Sequence, residues 1–161
     1  MDMAAVRTFS LILACLSFIA VIGGAVYEHT AMVPVWTKEI PASLTMFQGE
    51  YAIAPAVFWR AIHPVTMLLF VAALTLNWKT ARRFYIIFPI AGYALVLAIT
   101  FVYFVPELLA LTQTAYAPTI DAALTARGRS WEFYSLLRLV FLIVLAIILL
   151  FGLSKSAEKR A

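Results

Sequence analysis

The sequence predicts an all-α fold, a bundle of four transmembrane helices with two ordered exoplasmic connections, and three observations lead to it. The chain of 161 residues is 65% hydrophobic and only 12% charged, with a mean hydropathy of +0.97, whereas charged residues make up about a quarter of a soluble domain. Four apolar runs, at residues 8–27, 57–78, 85–104 and 131–153, have the length of roughly 20 residues that carries a helix across a bilayer. The basic residues behind the net charge of +4 gather at the ends of these runs and form no continuous stripe. That arrangement is explained by membrane topology and excludes nucleic acid as a partner. The whole chain, 1–161, is expected to be one integral membrane domain.

The first span, Thr8 to Tyr27, follows a short, weakly basic lead. Ile12-Leu13-Ala14-Cys15 faintly resembles a lipoprotein cleavage site, but hydrophobicity continues well past it, so the span is expected to stay uncleaved. Cys15 is the only cysteine, which rules out an intramolecular disulfide and leaves it a small packing residue. Gly23 and Gly24 are expected to let another helix approach closely.

A long connection, Glu28 to Val57, contains Pro34, Trp36 and a short helix expected from Pro41 to Phe47. Its aromatic content suits a segment folded over the end of the bundle or lying in the interface. The second span, Val57 to Trp78, carries Pro64 as a bending point, and Lys79, Arg82 and Arg83 mark a tight turn after it. The third, Tyr85 to Phe104, is bent early by Pro89 and closed by Pro106. In the second long connection, Glu107 to Ser130, Pro118-Thr119-Ile120-Asp121 reads as a helix start and Gly128 as a stop. The last span, Trp131 to Leu153, is followed by Lys155, Lys159 and Arg160.

Four spans place both termini on one side, together with Arg7, Lys79, Arg82, Arg83, Lys155, Lys159 and Arg160. The positive-inside rule makes that side cytoplasmic and the two long connections exoplasmic. The expected location is a bacterial cytoplasmic membrane, crossed several times.

Ionisable residues near a membrane point to function. His29 and His63 are the only histidines, and both stand at exoplasmic span ends. There, imidazoles could ligate a transition metal or haem, with Glu28 as a further metal ligand, or transfer protons. The competing reading is that each histidine satisfies ordinary hydrogen bonds at a helix end. Glu28 and Glu132 add carboxylates for acid–base work or plain interfacial solvation, and Glu107 fits solvation better. Arg138 is the least expected residue, a cation among Leu136, Leu137, Leu139 and Val140. It needs a carboxylate, a carbonyl or an anion, or must snorkel; Glu28 is the better-placed acid, since Glu132 is rotated by about 240° on the same helix. Trp131, Tyr134 and Arg138 are expected to share a helix face.

The first span ends Gly-Gly-x-x-Tyr-Glu-His and is followed by Val33-Pro34-x-Trp36, and the last span opens with Trp131 seven residues ahead of Arg138. This pattern resembles the anthrone-oxygenase-like family of small four-helix membrane proteins. The resemblance implies a four-helix membrane fold, with some members linked to oxygenating polyketide anthrones without an evident organic cofactor, and it matches Pro34, Trp36, Trp131 and Arg138. His29 and His63 stand outside the matched pattern.

The leading expectation is an oxidoreductase or oxygenase acting on a small lipophilic molecule from the bilayer. Arg138, Glu28 and Glu132 would be catalytic, with His29 and His63 as cofactor or metal ligands or as bases. The alternative is a noncatalytic membrane subunit or scaffold, in which the same charges tie helix ends together and the loops bind a membrane protein partner. A transporter ranks third, because four short spans leave little room for an alternating-access repeat.

Overall fold

The computed structural model describes residues 2–158 and is all helical. Four helices are long and apolar enough to cross a membrane: α1 (Met3–Trp36), α2 (Ala56–Asn77), α3 (Arg83–Thr112) and α4 (Ala122–Phe151), the last continued by a 3-10 turn, Gly152–Ser154. A short 3-10 helix, Ala42–Phe47, lies where the sequence places one after Pro41. Large apolar side chains point outward along every long helix, among them Leu16, Leu68, Phe88 and Val140. In water such faces would have to be covered; in a bilayer they meet hydrocarbon, and the chain is a multi-pass integral membrane protein.

Helices α1 and α3 run well past their expected ends at Tyr27 and Phe104, and the reason is local. Each contains a π-helical turn, Glu28–Met32 in α1 and Thr100–Phe104 in α3, closed by an N–H bonded five residues back, Val33 to the Glu28 carbonyl and Val105 to the Thr100 carbonyl. Pro34 and Pro106 each follow two residues after the turn. A proline ring normally collides with the carbonyl four residues earlier and ends the helix. The wider turn carries the backbone past that collision, so Pro106, expected to close its span, and Pro34, expected in a connection, both lie inside continuous helices. Pro64 and Pro89 are likewise accommodated inside α2 and α3.

Helix α4 begins nine residues before the expected Trp131. Asp121 starts it, its carboxylate accepting the N–H groups of Ala123 (2.8 Å) and Leu124 (3.0 Å), as an N-cap should. Gly128 does not stop the helix. It sits within α4, where a Cβ would come 2.7 Å from the Ile40 Cδ1, so its role is close approach. Gly23 has no such role, since a Cβ there would meet nothing within 4 Å.

The chain divides into two compact units. The first, Met1–Gly23, Val57–Leu95 and Phe141–Ala161, takes a part of each long helix. At its centre Phe18, Phe70 and Tyr93 are fully buried and meet edge-on, with centroid distances of 5.2 Å (Phe18–Phe70), 5.0 Å (Phe18–Tyr93) and 5.9 Å (Phe70–Tyr93). Helix α4 reaches α3 over Gly92, where any Cβ would collide with Leu145 at 2.7 Å.

At one end of this unit two of the expected topology signals turn out to be structural. Arg7 is buried and donates to the carbonyls of Leu76 (3.0 Å) and Ala157 (3.1 Å). Arg82, also buried, donates to the Lys155 carbonyl (2.8 Å), the Leu153 carbonyl (3.5 Å) and the Thr8 hydroxyl (2.9 Å). Both cations therefore serve orphan carbonyls at helix C-termini, where the helix dipole also favours positive charge. Lys159 and Arg160 lie outside the described residues.

The second unit, Gly24–Ala56 and Val96–Val140, holds the two long connections. Its core joins Val33, Trp36, Ile40, Leu44, Phe104, Leu111 and Trp131. The Trp36 and Trp131 rings are 5.5 Å apart, and Phe104 stands edge-on to Trp131 at 5.9 Å. The connections are stitched together through their backbones: Asp121 N–H to the Ile40 carbonyl (2.8 Å), Ile40 N–H to the Thr125 hydroxyl (3.1 Å), and the Gln48 side-chain amide to the Thr114 carbonyl (2.9 Å). These bonds order segments that composition alone already suggested were not disordered.

Candidate functional site

The candidate site lies in the second unit, where both π turns meet α4 between Trp131 and Arg138. Arg138 donates from its two terminal nitrogens to the Thr100 hydroxyl (3.0 Å) and the Ser135 hydroxyl (2.8 Å). Its guanidinium carbon lies 4.1 Å from the Phe104 ring centroid, a cation–π contact that the partial burial of Arg138 strengthens. Thr100 and Phe104 are the first and last residues of the α3 π turn. Trp131 closes the same turn from the other side, its indole N–H donating to the Phe104 carbonyl at 3.0 Å.

The α1 π turn contributes Glu28 and His29. Glu28 is the carboxylate whose charge acts favourably on Arg138. His29 is half-buried and edge-on to Trp131 at 6.5 Å, and it feels opposing charges from Arg138 and Glu132. Both of its ring nitrogens are buried, and among the described residues neither has a hydrogen-bond partner. Burying polar atoms without partners is unfavourable by about 1–3 kcal/mol for each group, which sets His29 apart from an imidazole that satisfies ordinary hydrogen bonds at a helix end. Glu132 accepts a hydrogen bond from the Thr37 hydroxyl (2.9 Å), which also contacts the Val33 carbonyl (2.8 Å). One hydroxyl proton is thus shared between two acceptors.

The structure therefore gathers four of the five expected site residues, Glu28, His29, Glu132 and Arg138, into one unit. His63 lies in the other unit. Its Nδ1 is 2.6 Å from the Tyr93 hydroxyl, and its ring stacks on Trp59 at 5.3 Å. Tyr93 hydrogen bonds Thr66 in turn, and the Thr66 hydroxyl lies 2.6 Å from the Ser17 hydroxyl. His63 thus opens a chain of hydroxyls running through the aromatic core. Among the described residues no group of three or more His, Cys, Asp and Glu is disposed to hold a metal ion.

Contacts add detail to these expectations. Tyr134, one turn before Arg138 on the same helix, is half-exposed and meets Tyr103 at 6.3 Å, while Ser135, one residue on, is buried and accepts from the guanidinium. Arg138 has two hydroxyls and an aromatic face among its direct partners, and the two hydroxyls take up two of its five N–H donors. Glu107 forms a two-pronged ion pair with Arg127 (2.9 and 2.8 Å) on the surface. Thr37, Thr100, Phe104 and Ser135 were not singled out as site residues, although hydroxyls inside apolar runs were a signal that could have found two of them, Thr100 and Ser135.

Comparison with protein-family models, with curated proteins and with solved structures finds no match to the chain.

Proposed function

We propose that the chain is a membrane-embedded, oxygenase-like oxidoreductase that takes a small lipophilic substrate from the bilayer to His29. The observation that carries this reading is the imidazole with two buried, unpartnered nitrogens beside a guanidinium whose position is fixed by Thr100, Ser135 and Phe104. Such a pair suits proton abstraction from a methylene conjugated with a carbonyl: His29 removes the proton, and Arg138 stabilises the oxyanion that develops. Glu28 balances the guanidinium charge, and Glu132, held by the Thr37 hydroxyl, adds a second carboxylate to the same unit. The resemblance to the anthrone-oxygenase-like family suggests the rest of the reaction. The enolate of an anthrone-type ring gives its electrons to dioxygen, and in net terms one methylene and one dioxygen become one carbonyl and one water.

This assignment uses His29 as a base, and ligation of a metal by His29, His63 and Glu28 is the alternative that elemental analysis decides. The test is oxygen uptake by purified protein in nanodiscs supplied with a lipophilic anthrone, together with an absorption spectrum and elemental analysis. Uptake abolished by His29→Gln at unchanged thermal stability is expected. Uptake equal in wild type and variant refutes the base. No uptake and no bound metal would favour a noncatalytic subunit that engages another membrane protein.

The proposed orientation keeps both termini and the Lys79–Arg83 turn in the cytoplasm of a bacterial cell, following the charge asymmetry. A cysteine placed between Glu39 and Glu50 should then react with an impermeant thiol reagent on intact cells, and one replacing Lys79 should not. Reversed labelling would overturn the orientation.

A further inference from the structure

The α2–α3 turn carries a feature that the oxygenase reading does not use. A cavity of about 350 Å³ opens there, lined by Trp78, Lys79, Thr80 and Arg83. That volume lies at the lower end of the roughly 300–1,000 Å³ usual for small-ligand sites. The cations that line it differ from their neighbours. Arg7 and Arg82 are buried and occupied with helix-end carbonyls, whereas among the described residues no carboxylate pairs with Lys79 or Arg83. The Arg83 guanidinium is instead held between two rings, 5.4 Å from the Trp78 centroid and 4.7 Å from the Phe84 centroid. Stacking fixes the plane of the fork and leaves its N–H edge for another acceptor.

The location narrows the ligand. Asn77 ends one membrane-crossing helix and Arg83 begins the next, so the cavity lies at the depth of the lipid headgroups. Trp78 and Phe84 are both about half exposed, and a tryptophan here is a normal interfacial anchor. The Thr80 hydroxyl is already engaged with the Asn77 carbonyl and the Arg82 N–H, so the recognition chemistry left in the cavity is cationic and aromatic. We propose that this turn is a binding site for the phosphate of an anionic phospholipid headgroup, with Arg83 as a planar fork on the phosphate oxygens, Lys79 as a second cation and Trp78 against the glycerol and upper acyl region. A zwitterionic lipid offers the same phosphate but brings its own cation, which Lys79 and Arg83 would repel.

The experiment is native mass spectrometry of detergent-purified protein titrated with dioctanoyl phosphatidylglycerol, dioctanoyl phosphatidylcholine or inorganic phosphate. One phosphatidylglycerol is expected to be retained preferentially over phosphatidylcholine. Removing each cation, as Lys79→Gln or Arg83→Gln, should weaken that retention roughly fivefold, the effect of about one cation near an anionic membrane surface. Arg83→Lys should fall between wild type and Arg83→Gln, because it keeps the charge and loses the fork. Arg129→Gln, a cation removed from the other unit, should change nothing. Equal retention of the two lipids, or undiminished phosphatidylglycerol binding in the Lys79→Gln/Arg83→Gln double variant, would overturn the site. Saturation by millimolar inorganic phosphate that displaces phosphatidylglycerol would assign the same chemistry to a free anion and overturn the lipid.

Discussion

The two units each contain one histidine, an aromatic cluster and several hydroxyls, yet they use them in opposite ways. In the first, His63, Tyr93, Thr66 and Ser17 form a hydrogen-bonded series in which every described link has a partner. In the second, hydroxyls and rings are arranged around Arg138, and His29 is left with two bare nitrogens. Sequence position gives the two histidines equal standing. Their surroundings separate them: a satisfied imidazole contributes to stability, and an unsatisfied one has reactivity to spare.

If that division is right, substitutions should sort by unit. The largest effect is expected from His29→Gln, which should lower turnover by about 10²–10⁴, the range for a lost general base, while leaving the melting temperature within experimental scatter. A steady-state assay beside a thermal melt checks both; a variant that melts early and still turns over would reverse the assignment. Next, Arg138→Leu should lower turnover by about 10²–10³, as for other lost oxyanion stabilisers. Arg138→Lys should recover only a part, because one ammonium cannot reach the Thr100 and Ser135 hydroxyls in the same planar geometry.

The first unit should respond in stability instead. Tyr93→Phe removes the hydroxyl between His63 and Thr66, and about 0.6–1.7 kcal/mol is the measured scale for a hydrogen bond between membrane helices. Unfolding in mixed micelles would show it, with turnover per folded molecule unchanged. Ser17→Ala, at the end of the series, should have the smallest effect, below about 0.6 kcal/mol, since Thr66 keeps its bond to Tyr93. A large loss of turnover in either variant would mean that the two units share one function.

Much of this architecture was legible in the sequence because a bilayer demands long apolar runs. All four spans, the N-cap at Asp121 and the turn after Asn77 follow from hydropathy and local chemistry alone. The helix ends did not follow. Pro106 read as the close of its span and Pro34 as part of a connection, and only three-dimensional geometry reveals that a π turn carries the helix past each. Gly128 misled in the same way, because a glycine that ends a helix and one that admits Ile40 look alike in one dimension. For the site, Glu28, His29 and Arg138 stood out as charged or titratable residues beside apolar runs. Ser135 and Thr100 did not, since a hydroxyl in a membrane helix usually bonds its own backbone, as the Thr100 hydroxyl also does to the Val96 carbonyl at 2.7 Å. The cap roles of Arg7 and Arg82 were hidden because topology already accounted for their charge.

The π turns have a consequence for how this chain can vary. A π turn amounts to one extra residue inside an α-helix, and each residue advances an α-helix by about 100°. Deleting a single residue between Thr100 and Phe104 would therefore relax the turn to ordinary α-helix and swing one end relative to the other. Arg138 needs both ends, a hydroxyl from the first and a ring from the last, so no substitution elsewhere in that segment could compensate for the missing residue. The insertion in α1 places Glu28 and His29 under the same constraint. In these two five-residue segments the number of residues matters as much as their identity, and gaps there, more than replacements, should mark related chains that have given up the site.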